Sequence, residues 1–233
     1  MTKDLETKLE WMFSDLVFEE KAHTYHVNGV PFPSVSSLIK EHETPVDFDL
    51  IAERVAIRNN KTKSQVQREW DKIKDDACAL GSETHLYAEN YDGTQEPINN
   101  LQFAAKKFFD ELPEYYIILS KELRMYSKAF KYAGTADLVL FDTRDNSLVI
   151  ADFKTNKDLF KSFHQLQGIF SDLEQSNFNK YQLQLSYYQI MLEQTGVDVS
   201  NRVIIWLQRD GTYKVYQTED YTKELKLCML NKN

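Results

Sequence analysis

Two carboxylates and an ammonium group come together in the run Gly134-Thr-Ala-Asp137-Leu-Val-Leu-Phe-Asp-Thr-Arg-Asp-Asn-Ser-Leu-Val-Ile-Ala-Asp152-Phe-Lys154-Thr155. Two β-rich segments, 135–141 and 148–153, flank a turn-forming cluster from Asp142 to Ser147, the pattern of an antiparallel hairpin. With a loop from Thr143 to Asn146, Asp137 lies directly across from Asp152, their Cβ atoms about 5 Å apart. Alternation places Lys154 on the same face. Farther along that face Val139 opposes Ile150 and Phe141 opposes Leu148, while Leu138, Leu140, Val149, Ala151 and Phe153 make the other face apolar. A hairpin apolar on both sides belongs inside a sheet covered by helices. Adjacent carboxylates in that setting raise one pKa or recruit a cation. Magnesium or manganese suits hard oxygen ligands and reverses the local repulsion, and Lys154 would then face the attacking water and a substrate oxyanion. The competing reading is a solvated hairpin end with a surface Asp-Lys pair; the Gly134-x-x-Asp137 lead, the register and the apolar second face weigh against it.

Other residues could wall such a site. Ser64 to Tyr91 predicts one long helix, or two broken near Gly81. Glycine inside a helix costs about 1 kcal/mol relative to alanine and marks a close approach. His85 and Glu89 follow Gly81 at one-turn intervals on the same face. A lone helical histidine is ordinarily surface or core, so His85 matters only if it faces the hairpin. Tyr115 to Tyr126 reads as a strand pairing with the Asp137 strand through a turn near Lys131 to Gly134; Glu122 on it either supports a metal site or is a surface carboxylate. Tyr181, Gln184 and Tyr188 fall at i, i+3 and i+7 on a helix, and a buried amide there needs partners such as a phosphate, a lysine or a metal ligand. Ser34 reads as the N-cap of a helix running to about His42, or, with Ser36 and Ser37, as a phosphate contact. His23 and His26 cannot both face inward on a strand and are assigned no role.

The remaining segments supply the frame. Residues 4–16 form an amphipathic helix by apolar spacing, and Asn28-Gly29 between alternating residues signals a hairpin. Glu41 to Arg68 reads as a solvated helical arm, and Asn99 to Leu112 as a helix capped by Asn99 or Asn100 and stopped by Pro113. Asn156 to Asn179 reads as partly helical and mobile; Phe160, Phe163, His164, Phe170 and Phe178 there either stack on bases or pack under a lid. Strands Arg202–Gln208 and Thr212–Thr218 flank the Asp210-Gly211 turn, and a helix from Tyr221 to Leu230 closes the chain. The expected fold is α/β, a central mixed β-sheet flanked by helices with an N-terminal hairpin and helical arm. It is read as one domain: 1–62 hairpin and arm, 63–218 core, 219–233 terminal helix.

Composition narrows the classes. Hydrophobic content of 42% with 7 Gly and 5 Pro describes an ordered globular chain. A net charge of −8 argues against a broad electrostatic grip on nucleic acid, although it leaves room for a local basic channel. Cys78 and Cys228 suit buried thiols in a reducing compartment and are too few for a four-cysteine zinc or iron-sulfur site. With no signal-peptide core and no run of about 20 apolar residues, a soluble cytoplasmic protein without a membrane partner is expected.

Five elements in this order resemble the PD-(D/E)XK phosphodiesterase superfamily, in particular its RecB-like branch of phage exonucleases and the mitochondrial genome maintenance exonuclease. They are Gly81-x-x-x-His85-x-x-x-Glu89, Glu122, Gly134-x-x-Asp137, Asp152-Phe-Lys154-Thr155 and Gln184-Leu-x-x-Tyr188. Pro33-Ser34-Val-Ser also looks like an N-terminal element of that branch, and the resemblance covers about residues 20–217. Asp152 stands where glutamate is the more usual occupant. The resemblance implies a metal-dependent DNA nuclease that leaves 5′-phosphates, preferably an exonuclease on single strands or DNA ends; the alternatives are a structure-dependent endonuclease of the same fold and a non-catalytic nucleic-acid-binding or regulatory protein that retains the fold. It further implies one or two Mg2+ or Mn2+ ions held by Asp137, Asp152, the Phe153 carbonyl and His85, with Glu122 as a further candidate. Lys154 would orient and help deprotonate water, and Gln184 and Tyr188 would position Lys154 or the DNA backbone. Ser34, Ser36, Thr155 and Tyr181 are candidate DNA contacts. No iron-sulfur cluster is expected, a single-strand-binding or recombination protein is a candidate partner, and a phage origin would place the protein in the host cytoplasm.

Overall fold

Described here as a computed structural model, the protein is defined over residues 2–20 and 22–231; Met1, Lys21, Lys232 and Asn233, at the edges of the expected segments, lie outside the described residues. Helix α1 (Thr2–Met12) leads into an antiparallel sheet of β1 (Leu16–Glu19), β2 (Thr24–Val27) and β3 (Val30–Phe32). Helices α2 (Val35–Lys40), α3 (Phe48–Arg58), α4 (Lys63–Asn90) and α5 (Asn100–Asp110) follow. The larger sheet contains β4 (Tyr116–Ser127), β5 (Tyr132–Asp142), β6 (Ser147–Lys154), β7 (Val199–Leu207) and β8 (Tyr213–Gln217), with α6 (Asn177–Leu192) between β6 and β7 and α7 (Thr222–Leu230) at the end. Its strands lie in chain order, antiparallel except for the parallel β6–β7 pair. Parallel neighbours need a long crossover, and α6 lies within it. The sheet is therefore mixed and flanked by helices, as expected.

The central hairpin explains this layering. Its register pairs Leu138 with Ala151 and Asp142 with Ser147, leaving 143–146 as the loop. Carried one pair further, the same register sets Asp137 beside Asp152. Val139, Phe141, Leu148 and Ile150 pack in a core with Leu183 and Tyr187 of α6. The opposite face, Leu138, Leu140, Val149, Ala151 and Phe153, packs on Tyr87 of α4 and on Leu101, Ala104 and Phe108 of α5. Each face buries several aliphatic or aromatic side chains, worth about 1.5–3 kcal/mol apiece.

Several elements differ from expectation. The first helix stops at Met12 rather than 16: Leu16 begins β1, which pairs with β2 as a third strand. Four residues are too few to break an apolar helical spacing on the page. Helix α4 runs unbroken through Gly81 for 28 residues, about 42 Å, started by a capping box between Thr62 and Gln65. Helix α3 packs onto it through Ala52, Ala56 and Val66. The segment after β6 has a single 3-10 turn, Gly168–Phe170. It is tied to the loop after α2 by Thr44, which bonds Gln175 and the Gln165 carbonyl. Phe170 is buried there, Phe178 packs against the core, and Phe163 remains 80% exposed. Neither cysteine is buried: Cys78 is exposed and Cys228 is intermediate, because Cys78 sits on the open face of α4. Among the described residues no helix is long and apolar enough to cross a membrane.

Candidate metal centre and cleft

Three elements bring ligand atoms together. His85 projects from the last third of α4, and its Nδ1 lies 3.3 Å from Asp137 Oδ2 on β5 and 3.9 Å from Glu122 Oε1 on β4. One ligand atom from each of the three lies within 4.8 Å of the others. Glu122 falls opposite Asp137, between the pairs Lys121–Leu138 and Leu123–Ala136. Its backbone is left-handed, φ +49°, a conformation unfavourable for a residue with a Cβ and found at sites that hold it in place. The Phe153 N–H donates to Asp137 Oδ2 at 2.7 Å, fixing that carboxylate from across the hairpin.

Beneath this group lies an ion pair. Asp152, 1% exposed, holds the Lys154 ammonium against its Oδ2. The Tyr181 ring covers Lys154 Nζ at 4.2 Å, and its hydroxyl donates to Asn156 Oδ1 at 2.7 Å. On the same face of α6, Gln184 Nε2 donates to the Tyr188 hydroxyl at 2.7 Å. Tyr188 reaches β5 because residue 134 is glycine: a Cβ there would lie 2.7 Å from Tyr188 Cε1 and 3.1 Å from Val35 Cγ2. Gly81 has a similar role on α4, where a Cβ would lie 3.3 Å from Thr155 Oγ1.

Charge in the group is strongly coupled. Burial opposes a proton on His85, yet the Asp137 carboxylate, aided by Glu122, lifts its pKa to about 10. Burial also works against ionisation of Asp137, and His85 and Lys154 outweigh it to hold that carboxyl below its usual range. Asp152 is pushed up to about 6 by burial and by Asp137, against the pull of Lys154. Burial opposes the Lys154 charge, but Asp152, Tyr181 and Asp137 hold its pKa above normal. Burial and Asp152 keep the Tyr188 phenol protonated. A protonated imidazole thus stands where the carboxylates call for positive charge. One imidazole with carboxylate oxygens from Asp137 and Glu122 is a donor set that magnesium or manganese accepts, the nitrogen favouring manganese.

The group opens into a cleft of about 1080 Å3 lined by α4, the hairpin, α6 and the small N-terminal sheet. Ser36, His85, Glu122, Asp137, Thr155, Gln184 and Tyr188 line it. Asp152, Lys154 and Tyr181 lie behind that lining. Ser34 caps α2 instead, its side chain accepting from the Ser37 N–H. Sequence reasoning missed the facing wall of Phe18, His23 and Tyr25. The Tyr25 hydroxyl bonds Thr135 Oγ1 at 3.0 Å, joining the small sheet to the hairpin. Alternation within the Asn28-Gly29 hairpin was the available signal for an inward Tyr25, but nothing in it indicated which element that face would meet.

No known family matches the chain, and no curated protein matches it. Among solved structures, SSO0001 aligns over 97% of this chain and 81% of its own at 16% identity, with a TM-score of 0.38. A protein from Eubacterium rectale, provisionally named an exonuclease, aligns over 85% of this chain and 69% of its own at 16% identity, with a TM-score of 0.36.

Proposed function

We propose that the chain is a metal-dependent DNA nuclease of the RecB-like PD-(D/E)XK type, an exonuclease acting on single strands or DNA ends and leaving 5′-phosphates. The observation that carries this reading is the convergence of His85, Glu122 and Asp137 at a cleft wall directly above the buried Asp152–Lys154 pair. His85, Asp137, Asp152 and the Phe153 carbonyl, with Glu122 from the neighbouring strand, would hold Mg2+ or Mn2+. When bound, the ion would supply Lewis acidity, making water a stronger nucleophile and offsetting charge that develops at phosphorus. Lys154, held cationic by Asp152, presents positive charge to the phosphoryl oxygens and orients the attacking water. Tyr188 stays a neutral hydroxyl and Gln184 an amide, both at the lining, where they position a backbone phosphate. The Tyr181 ring keeps Lys154 from swinging out of line.

The test is digestion of end-labelled linear, circular and end-blocked DNA with magnesium or manganese. Cleavage of linear substrates with circles spared supports an exonuclease; binding without cleavage under either metal leaves a nucleic-acid-binding protein instead. Lys154→Ala should lower the rate about 10²–10³-fold in a protein with unchanged circular dichroism, and full activity in that variant removes Lys154 from the mechanism.

A further inference from the structure

Unpaired cations line the cleft beyond the metal group. The cleft face of α4 carries Lys74, Ala77, Cys78, Gly81 and His85 at helical spacing. Lys74 precedes His85 by eleven residues, about 16 Å along the axis. Strands β6 and β7 leave the sheet side by side after their last pair, Lys154–Trp206, and three residues farther along each stand Lys157 and Arg209, both lining the same cleft. Carboxyl ends of parallel strands are where open α/β sheets bind ligands. The backbone at both positions is fastened. Asn156 accepts from the Tyr181 hydroxyl through its side chain and from the Trp206 indole through its carbonyl, both at 2.7 Å. The Arg209 carbonyl accepts from Asn100 Nδ2 at 2.8 Å, and Gly211, φ +85°, packs its turn against Phe103.

Among the described residues none of the three cations has a carboxylate within ion-pair reach. Asp76 lines the same stretch of α4 and Glu89 lines the cleft one turn past His85, so outside the metal group three cations face two carboxylates. Cations left unpaired inside a concave surface attract anions strongly. We infer that Lys74, Lys157 and Arg209 form a subsite for the backbone phosphates of a nucleic-acid strand, remote from the bond that is cut. The inference rests on the nuclease reading and gives that site a minimum substrate length. A stacked strand advances about 3.4 Å per nucleotide, so Lys74 meets a phosphate about five nucleotides from the metal group.

The test compares wild type with the triple variant K74Q/K157Q/R209Q on single strands of about two to ten nucleotides. These side chains are exposed or rim-placed, so the variant should fold normally. Wild-type kcat/KM should climb with length and level off near five nucleotides. The variant should match wild type on the shortest substrate, lose about tenfold on the longest through KM alone, and show a salt dependence shallower by about 0.7 in log–log slope per lost contact. A methylphosphonate at the distant phosphate should reproduce the loss in wild type. A loss equal at all lengths, or no loss, overturns the subsite. Binding of the longest strand, measured by fluorescence anisotropy in Asp152→Asn versions of both proteins, separates the two ideas. Weaker binding by the triple variant sustains the subsite even if wild type cleaves nothing, which would sink the nuclease reading alone, whereas equal binding overturns the subsite whatever the cleavage result.

Discussion

At the scale of single residues, His85 connects the metal question to pH. Its folded pKa of about 10 exceeds the ordinary 6.5, so the stabilisation it gives the metal-free protein is fully present below about pH 6.5 and is lost as pH rises toward 10. Asp152, raised to about 6 from 3.8, acts in a lower window, where its ionisation between those values costs stability. Thermal denaturation of chelator-treated protein should therefore show Tm falling from pH 6.5 to 10, and His85→Asn should flatten that fall. In the same window a divalent ion bound as proposed would displace the proton. Calorimetry at pH 7.5 in buffers of different ionisation enthalpy should find about one proton released per ion bound, and release of none would remove His85 from the ligand set. Glu122 makes the second case. Its φ of +49° is a conformation that glycine adopts freely, and its carboxylate lies near Asp137. Glu122→Gly should weaken metal binding yet leave the metal-free protein about 1 kcal/mol more stable than Glu122→Ala, which removes the same carboxylate but keeps a Cβ at this left-handed position; equal stability of the two variants in urea unfolding would show that the backbone there carries no strain.

At the scale of elements, the docking of α6 on β5 decides where Tyr188 and Gln184 point. Gly134→Ala forces a Cβ to within 2.7 Å of the Tyr188 ring, and such overpacking costs roughly 1–3 kcal/mol. Urea unfolding should report that loss, and cleavage should fall along with it; an unchanged midpoint would mean that Tyr188 moves aside freely. Much of this element layer is legible on the page. The hairpin register follows from a two-residue period and a loop of strong turn formers, because a one-residue slip would turn every core side chain to the wrong face. Gly81 signals close approach because glycine in mid-helix is otherwise a cost. Strand β1 was hidden because Leu16 continues the apolar spacing of α1 and only pairing with β2 makes it a strand. The exposure of Cys78 was hidden for a related reason: nothing local says which face of a 28-residue helix borders a cleft. The positive φ of Glu122 arises from the meeting of β4 with β5, and no residue type announces it.

At the scale of the whole molecule, the cleft lies where two sheets and α4 meet, so an ion held by the proposed ligands would join parts far apart in the chain. Ligand that binds only the folded state stabilises it by about 2.7 kcal/mol at a hundred times Kd. Saturating manganese should raise Tm by several degrees, a chelator should reverse the rise, and Asp137→Asn should abolish it; an equal rise in that variant would place the ion elsewhere. The Tyr25–Thr135 hydrogen bond, which closes the facing wall, spans 110 residues. During synthesis at about 5–20 residues per second, the N-terminal sheet emerges roughly 5–20 s before the strand it must meet. Val35 and Ile39 of α2 wait longer still for the α6 side chains that share their core. The first third of the chain is thus a nascent segment with its apolar side uncovered, and the metal group can assemble only once the ribosome has released the hairpin.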